Sequence, residues 1–505
     1  MSSASDISQL AMGLFVSFPR IARSSQPWAG GHNPFGIGNT CKVQGIRTHP
    51  RRFATFRIQF ALLLCLLAAV HHAGAQPTNP AAETGNSAPD THPIDLPTVL
   101  RLANAQNLDI QIARQRLDEA RANRQSALEL FFPWLSPGFA YRRHEDRIQD
   151  VAGNIIDADK QSYTLGGTLS AQADVGDAYY KSLVSKQLVT VADQNLESQR
   201  QDATLAAAQG YFDLANARAQ AGVQQEAVKI SREYQKQLHD AVGAGIAFRG
   251  EELRVQVQTE RYQLGLRQAQ EKERIAGARL AQVLHLDASV QLEPREADLV
   301  PLTLMDTNAT LSSLVRQALT LRPELAENQA LVLAAQHQKN GAIYGPLVPS
   351  LGAQAFGGGL GGGTDDHTGN FGPSQDYAVT LGWRIGPGGL LDFGRTRAAK
   401  ARLETAKLTE QKIRDEITRQ VVESHTRAHS LLDQLATTRQ NLATASEALR
   451  LTRERKQFGV GAVLEDIQAQ QELARARSDY LTTVSEYSKA QYTLMRASGG
   501  MSKSR

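Results

Sequence analysis

The stretch RERKQFGVGAVLEDIQAQQELARARSDYL, residues 453–481, interrupts a long helical pattern at Gly459 and Gly461 and starts a new helix near Leu464. An earlier stretch, LHDAVGAGIAFRGEELRVQVQTERYQL at residues 238–264, echoes it, with glycines 216 positions before the later pair. We therefore predict two helical hairpins whose small-residue tips lie between long helices rich in Ala, Gln and Arg. The rest of the chain is interpreted as the structure that brings these two tips to one place.

The composition favours long exposed helices over a thick globular core. Only 6% of the 505 residues are aromatic, which is low for a large compact domain. The formal charge of +4 comes from the N-terminal segment 1–75, which holds seven of the 55 Lys and Arg residues and one of the 51 acids. The remaining 48 basic and 50 acidic residues give a net charge of −2, which argues against a nucleic-acid-binding protein.

The N-terminal segment 1–75 is predicted to be an extension followed by a secretory signal peptide. Arg51–Arg57 supplies basic residues, Ile58–Val70 is an apolar run, and cleavage is expected after Ala75. The apolar run is well short of the roughly 20 residues that a membrane-spanning helix needs. Both cysteines, Cys41 and Cys65, precede the cleavage site, so the exported chain should lack disulfides and thiolate chemistry.

Two copies of one unit follow a flexible lead-in at residues 76–93. The first copy spans residues 94–286 and the second 311–499, with a linker at 287–310. Each copy opens with a similar helical segment, and three of its positions match at an offset of 215: Leu96, Ala103 and Ala120 with Leu311, Ala318 and Ala335. An internal duplication of this kind indicates one structural unit used twice.

Each copy then changes from helical to alternating periodicity. WLSPGFAYRRHEDR (134–147) and SYTLGGTLSAQADV (162–175) form a predicted β-hairpin in the first copy, as SLGAQAFGGGL (350–360) and DYAVTLGWRI (376–385) do in the second. Strands of about 10 alternating residues suit a tilted membrane-spanning strand. Four strands with open edges cannot lie in lipid, so a membrane-spanning form would need several chains that close one barrel.

Two long segments without proline follow the predicted strands, from Asp177 to about His239 and from Arg395 to about Gln457. As helices they would each be roughly 90–95 Å long. Apolar and small residues keep the heptad spacing of a coiled coil in the second segment: Ala428, Leu431, Leu435, Thr438, Leu442, Ala445 and Leu449. This diluted stripe suits helices that pack side by side in the wall of a cylinder.

The order helix, strand, strand, long helix, tip and helix, used twice, resembles the TolC-like outer membrane efflux proteins, or outer membrane factors. The similarity includes an Asp-x-Gly after each second strand, at Asp174 and Asp392, and small tips at Val242–Gly245 and Val460–Gly461. It covers about residues 94–499. The resemblance implies a mainly helical homotrimer, in which a twelve-stranded outer-membrane β-barrel continues into a twelve-helix periplasmic α-barrel. Each chain would be a tandem structural repeat.

The function implied by this resemblance is that of a passive channel, neither an enzyme nor a cofactor protein. Such a channel is the outer-membrane exit duct of a tripartite efflux pump or a type I secretion system in a Gram-negative cell. Its partners would be a periplasmic adaptor, an inner-membrane transporter and outer-membrane lipid, and not nucleic acid. The residues expected to dock the adaptor are those of the two tips: Val242, Gly243, Ala244, Gly245, Ile246 and Ala247, and Phe458, Gly459, Val460, Gly461, Ala462, Val463 and Leu464. A plain helix–helix turn with capping glycines is the alternative.

Glu252 and Asp466 are the candidate gate residues of the channel, because each opens a helix just after a tip. The preference of helix N-termini for acidic side chains is the simpler explanation. Phe458, Val463 and Ala469 stand where the family typically has a Tyr, an Arg and a second Asp. The family's polar latch is therefore expected to be absent, which leaves these two acids or an apolar constriction as the gate.

The sequence predicts no catalytic site and no metal site. His425 and His429 share a helix face, but no further ligand is near them in sequence, and zinc takes three or four protein ligands. The segment GGGLGGG, residues 357–363, lacks the Lys-Ser/Thr and the helix of a phosphate-binding loop. It is predicted to be an extracellular hairpin loop.

Two other classes of protein are alternatives. A surface coiled-coil adhesin or fibre would carry many short repeats, whereas this chain has two repeats of about 215 residues. A periplasmic helical scaffold would lack membrane strands. The exported cargo, whether drug, metal, solvent or protein, is not indicated by the sequence.

Overall fold

The computed structural model describes residues 91–287, 290–296, 299–305, 309–364, 368–457 and 463–503. The elements of the first copy are β1 (Thr91–Ile94), α1 (Leu96–Gln106), α2 (Leu108–Glu129), β2 (Trp134–His144), β3 (Arg147–Gln149), β4 (Ile155–Asp157), β5 (Lys160–Ala173), α3 (Val175–Gly243) and α4 (Arg249–Leu284). Those that follow are β6 (Gln291–Pro294), α5 (Leu311–Leu321), α6 (Pro323–Tyr344), β7 (Ser350–Thr364), β8 (Gly372–Gly382), α7 (Phe393–Gln457) and α8 (Val463–Ala497). Short 3-10 turns lie at Gly345–Leu347 and Gly500–Lys503.

The two copies have matching elements. Helices α1 and α5 each contain 11 residues, and α2 and α6 each contain 22. The long helices α3 and α7 contain 69 and 65 residues, and the returning helices α4 and α8 contain 36 and 35. The predicted order of helix, two strands, long helix and returning helix is therefore present twice.

The core lies where the short helices pack on the long hairpins. In the first copy, Val99 and Ala103 on α1 join one buried cluster with residues of α3 and α4. In the second copy, Leu314 and Ala318 on α5 occupy the same positions at an offset of 215 and join a cluster with residues of α7 and α8. Burying a side chain the size of Val or Leu contributes about 1.5–3 kcal/mol, so these apolar positions hold the short helices against the long hairpins.

The heptad stripe predicted on α7 is the less exposed side of that helix. Ala428, Leu431 and Leu449 are buried, and the four stripe positions between Leu431 and Leu449 are half-buried. Helix α8 packs along both α7 and α3. The stripe therefore marks the face of α7 that meets its neighbours.

Four strands form one antiparallel sheet in the order β2-β5-β7-β8. The central pair, β5 and β7, joins the two copies, with Leu165 opposite Gly359 and Leu169 opposite Ala355. Strands β2 and β8 lie at the two edges and pair on one side only within the chain. Each copy thus contributes one hairpin to a sheet that neither copy could form alone.

The prediction of a loop at residues 357–363 is wrong, because these glycines lie inside β7. A Cβ at Gly359 would lie 2.0 Å from the Phe371 ring, and one at Gly361 would lie 2.4 Å from the Tyr163 ring. The two rings stack on each other with centroids 5.8 Å apart. The glycines are strand residues whose missing side chains are replaced by aromatic rings from the neighbouring chain segments.

Regular structure also lies in segments that the sequence pattern marked as irregular. β1, at the end of the predicted flexible lead-in, pairs in parallel with β6, inside the predicted linker. A short hairpin of β3 and β4 extends the turn between β2 and β5. Among the described residues, none of the helices combines the length and the apolar composition needed to cross a membrane.

Candidate functional site

The two faces of the four-stranded sheet differ in chemistry. Because side chains alternate along a strand, the strand register places one set of large apolar residues on one face: Leu135, Phe139, Tyr141, Leu165, Leu169, Leu351, Tyr377, Val379 and Leu381. All of these are exposed in the single chain. The opposite face carries mostly small and polar residues, among them Ser136, Arg142, Thr164, Thr168, Gln354, Asp376 and Thr380, together with Trp134, Phe356 and Leu360.

An exposed apolar face of this size has no covering element within the described residues. Monomeric soluble proteins rarely leave such a patch in water. The alternation is the pattern of a sheet that separates an apolar medium from a polar one.

The tip of the first helical hairpin is a compact turn. Helix α3 ends at Gly243, the amide of Ile246 donates to the carbonyl of Ala241 at 2.9 Å, and Gly245 adopts a left-handed φ of 76°. Ile246 is 83% exposed and Phe248 is 82% exposed. The turn therefore presents two exposed apolar side chains at the end of the hairpin.

Phe248 was not among the predicted docking residues, although it lies only two positions after Ile246. The sequence signal that could have identified it is its position just before the helix that begins Arg249-Gly250. The residues predicted at the second tip, Phe458, Gly459, Val460, Gly461 and Ala462, lie outside the described residues. The adjoining Leu464 is exposed.

The two candidate gate acids occupy different environments. Glu252 on α4 lies beside the exposed ring of His239 on α3, with its Oε1 2.7 Å from the His239 Nδ1. The hydrogen bond and the charge of Glu252 raise the pKa of His239. This pair therefore connects the two arms of the first hairpin.

Asp466, by contrast, is only 4% exposed. Its Oδ2 accepts a hydrogen bond from Gln470 at 3.2 Å. Burial, followed by the nearby carboxylates of Asp466 and Glu251, raises the pKa of Tyr234 to about 12. Asp466 therefore lies against α3 of the same chain, next to the cluster that Leu238, Val255 and Ile467 form.

Further polar links join α8 to the first hairpin. Gln471 on α8 donates to the Gln258 side-chain oxygen on α4 at 2.6 Å, and Arg477 on α8 is 2.5 Å from Glu226 on α3. Polar contacts at two successive levels therefore tie α8 to the first hairpin.

A charged junction lies at the other end of α8. Arg496 Nη2 donates to Glu324 Oε1 at 2.5 Å and its Nε to Asp202 Oδ1 at 2.9 Å, while Arg322 binds Glu324 through Nη2 at 2.7 Å and through Nε at 3.1 Å. Burial alone would raise the pKa of Glu324, but the hydrogen bonds and charges of Arg322 and Arg496 outweigh it and bring the pKa to about 2. Sequence reasoning missed this junction.

The rings of His425 and His429 lie next to each other on α7. The ring centroids of His425 and His429 are 4.4 Å apart. Burial, and then the neighbouring His429, lowers the pKa of His425. In the part of the chain that the structure describes, no group of three or more His, Cys, Asp or Glu side chains is arranged to hold a metal ion.

Comparison with known proteins agrees with this geometry. Residues 314–500 match the family model of the outer membrane efflux protein. None of the curated proteins compared matches the sequence.

Several solved outer membrane channels share the fold. The CmeC outer membrane channel of Campylobacter jejuni aligns with a TM-score of 0.69 at 16% identity, covering 80% of this chain and 85% of that one. The outer membrane protein VceC of Vibrio cholerae aligns with a TM-score of 0.66 at 18% identity, covering 80% and 96%. The open state of the MtrE outer membrane channel of Neisseria gonorrhoeae aligns with a TM-score of 0.65 at 16% identity, covering 80% and 88%.

The predicted resemblance is thus confirmed. The second copy of the repeat matches the family model of the outer membrane efflux protein, and the chain has the fold of these outer membrane channels.

Proposed function

We propose that this chain is the outer-membrane exit duct of an export system, either a tripartite efflux pump or a type I secretion system. Three copies would close a twelve-stranded barrel in the outer membrane of a Gram-negative cell and continue as a twelve-helix barrel in the periplasm. The observation that carries this proposal is the four-stranded sheet with one apolar face, one polar face and two open edges.

The open edges give the physical reason for the trimer. In lipid, every unpaired backbone N–H and C=O group costs several kcal/mol, so a sheet with free edges at β2 and β8 is not stable there. Pairing β2 of one copy with β8 of the next removes both edges. The apolar face would then contact lipid and the polar face would line the channel.

The long helices support a periplasmic extension. Helix α3 has 69 residues, which corresponds to about 100 Å of α-helix. The hydrocarbon core of a bilayer is only about 30 Å thick. Most of the hairpin would therefore lie in the aqueous compartment, with its tips far from the sheet.

Cysteine cross-linking in the outer membrane tests the trimer. Ala140→Cys on β2 combined with Ala378→Cys on β8 should give linked dimers and trimers on oxidation, because both positions are on edge strands. Neighbouring β8 positions such as Thr380→Cys test other registers. Thr168→Cys on the central β5, combined with Ala378→Cys, is the control and should give no links between chains.

The predicted removal of both native cysteines with the signal peptide keeps the background low. The proposal would be abandoned if the chain were recovered as a monomer in the soluble periplasm and none of the edge pairs cross-linked.

The hairpin tips are the proposed docking sites for a periplasmic adaptor that connects the duct to an inner-membrane transporter. The first tip offers Ile246 and Phe248 as exposed apolar side chains, and its small neighbours Gly243, Ala244 and Gly245 leave the backbone accessible. Burying apolar surface against a partner helix contributes about 25 cal/mol per Å². The second tip would contribute Phe458, Gly459, Val460, Gly461 and Ala462.

Substitution at the first tip tests docking without disturbing the duct. Ile246→Glu should abolish export while the protein still reaches the outer membrane, because it places a charge in the contact. Val151→Glu, at a similarly exposed position in the turn between β2 and β5, is the matched control and should export normally. Normal export by the Ile246→Glu variant would argue against docking at this tip.

The gate, in this proposal, depends on how α8 is held against the first hairpin. Asp466 is buried between these helices and Glu252 is paired with His239, so both acids already take part in contacts within the chain. Asp466→Asn is expected to weaken the contact and raise the single-channel conductance in a planar bilayer. An unchanged conductance in both Asp466→Asn and Glu252→Gln would remove these two residues from the gate.

A further inference from the structure

A cavity of about 300 Å³ lies in the helical wall next to the sheet, between the start of α3, the end of α6 and the start of α7. Tyr180, Val184 and Leu188 line it from α3, Ala342 from α6 and Ala399 from α7. Its volume is at the lower end of the range of small-molecule sites, about 300–1,000 Å³.

The cavity is a consequence of how closely α6 approaches α3. A Cβ at Gly341 would lie 2.8 Å from the Tyr180 Cβ, and one at Gly345 would lie 2.4 Å from the Asp177 carboxylate. Glycine at these two positions lets α6 approach α3 almost backbone to backbone. The floor between α3 and α7 is then made of small side chains, including Ala342 and Ala399, which leave the space unfilled.

The charges around the cavity do not cancel. Asp177 Oδ1 and Arg395 Nη2 form an ion pair at 2.8 Å. Lys181 and Arg402 also line the cavity, and neither has a carboxylate within ion-pair distance among the residues that the structure describes. Two cationic side chains are therefore left without a carboxylate partner at a pocket that combines apolar side chains with polar ones, Ser185 and Gln338 among them.

The cavity lies close to the polar face of the sheet, because Asp177 also borders a second cavity there. This second cavity is smaller, about 60 Å³, and its other walls include Gly345, Ser350 and Gly382. Ser350 and Gly382 face each other on β7 and β8, on the side of the sheet that carries the polar side chains. If the polar face lines the duct, as proposed above, the larger cavity lies next to the duct-facing side of the sheet at Asp177.

We infer that this cavity is a transient binding site for amphipathic anions that pass along the duct. The apolar or aromatic body of such a molecule would lie between Tyr180, Val184 and Leu188, and its acidic group would contact Lys181 and Arg402. This inference rests on the proposed function for the origin of the ligand, but the binding chemistry follows from the cavity itself.

Anilinonaphthalene sulfonate is a suitable probe, since it combines an aromatic body with one sulfonate. Titrated into the purified full-length mature protein in amphipol, it should show a saturable increase in fluorescence. The uncharged phenylnaphthylamine should displace it only weakly, because it lacks the sulfonate. The double variant Lys181→Ser/Arg402→Ser should bind the probe about tenfold more weakly, because it lacks the two charge contacts to the sulfonate. Lys186→Ser, on the same helix but outside the cavity, is the matched control and should bind as the wild type does.

A second variant keeps the test independent of charge. Ala399→Phe places a ring in the cavity and should abolish the saturable phase, whereas the charges stay in place. If this buried substitution prevents assembly, the charge variant, which alters only surface groups, still decides the question. Equal affinity in the wild type, the charge variant and the filled variant would overturn the site.

Conductance in a planar bilayer separates the site from the duct. If the probe binds and also reduces the current through the wild type more than through the charge variant, both the site and the duct stand. Binding without any channel current would keep the site and overturn the duct. A channel that conducts but shows no cavity-dependent binding would overturn the site alone. The probe could also fail to bind in nanodiscs of anionic phospholipid and fail to reduce the channel current when added to the solution. In that case the phospholipid would occupy the cavity, and the assignment to cargo would be overturned.

Discussion

The two copies of the repeat solve the same structural problem with different chemistry. At the break between the two short helices, the first copy has Asn107 and the second has Arg322, at an offset of 215. The side-chain oxygen of Asn107 accepts from the amides of Asp109 and Ile110 at 2.9 and 3.3 Å, and its amide group donates to the Val283 carbonyl at 3.2 Å. One neutral side chain thus caps a helix and ties it to the returning helix.

In the second copy, the same link is made by charged groups. Arg322 and Arg496 meet at Glu324, and Arg496 has a side chain that is only 6% exposed. The energetics differ accordingly. A neutral cap can be removed at moderate cost, whereas removing one member of a buried charge network leaves the others without compensation.

The acids behind the tips show the same contrast. Glu252 and Asp466 are related by an offset of 214. Glu252 pairs with an exposed histidine, whereas Asp466 is buried. In both places the second copy holds buried charge where the first has a neutral or solvent-accessible contact, so we expect the second copy to be the more sensitive to charge removal.

The largest expected effect is at Glu324. Glu324→Gln leaves the buried Arg322 without a countercharge and Arg496 with Asp202 alone, and it should lower the free energy of unfolding by about 3 kcal/mol. Urea unfolding of the detergent-solubilised protein, followed by circular dichroism, measures this. Asp109→Asn, the matched position of the first copy, should change it by less than about 0.5 kcal/mol. Equal losses in the two variants would remove the difference between the copies.

Acid titration should sharpen the same comparison. The pKa of Glu324 is lowered from 4.5 to about 2, so its stabilising contribution is complete above pH 4.5 and is lost as the pH falls from there toward 2. The difference in unfolding free energy between the wild type and Glu324→Gln should therefore be constant near neutral pH and shrink through that window. A difference that does not depend on pH would show that the charge of Glu324 is not what matters.

A smaller effect is expected at Asn107. Asn107→Ala removes the cap of α2 and the bond to Val283, which should lower the free energy of unfolding by about 1–2 kcal/mol. Asn104→Ala, one turn earlier on the exposed face of α1, is the control and should be nearly neutral. A loss at Asn107 as large as that at Glu324 would mean that the neutral link is as critical as the charged one.

The smallest expected effect is a change in the ring titration of His239, measured by NMR. His239 has a raised pKa because of Glu252, so Glu252→Gln should lower the midpoint of its ring titration in an NMR experiment without changing the assembly. His337→Gln is a suitable control, since it lies on α6, away from the tip, and should leave that midpoint unchanged. An unaltered midpoint in Glu252→Gln would show that the pair does not form in solution.

Much of the fold could be predicted from periodicity. The starts of the short helices match at one offset, and the heptad stripe from Ala428 to Leu449 predicts the less exposed face of α7. Such signals are visible because apolar side chains repeat at the period of the element they belong to.

What could not be predicted has no such periodic signal. The glycines of β7 carry no side chain to alternate, and the rings of Tyr163 and Phe371 that cover them come from elsewhere in the chain. β1 and β6 each contain a proline, which is a signal against a strand, yet the two strands pair with each other in a separate two-stranded sheet. The charged junction joins Glu324 to Arg496, which is far away in the sequence, and no local pattern connects them.

In the proposed channel, the two unpaired edges of the sheet would also determine when the chains assemble and insert into the membrane. If the sheet spans a membrane, as proposed, a single chain cannot complete its backbone hydrogen bonds in lipid while β2 and β8 lack partners. Association with other copies must therefore precede or accompany insertion. The rate at which channels appear should depend on a power of the chain concentration greater than one, so that a cell making few copies would accumulate the exported, uninserted chain.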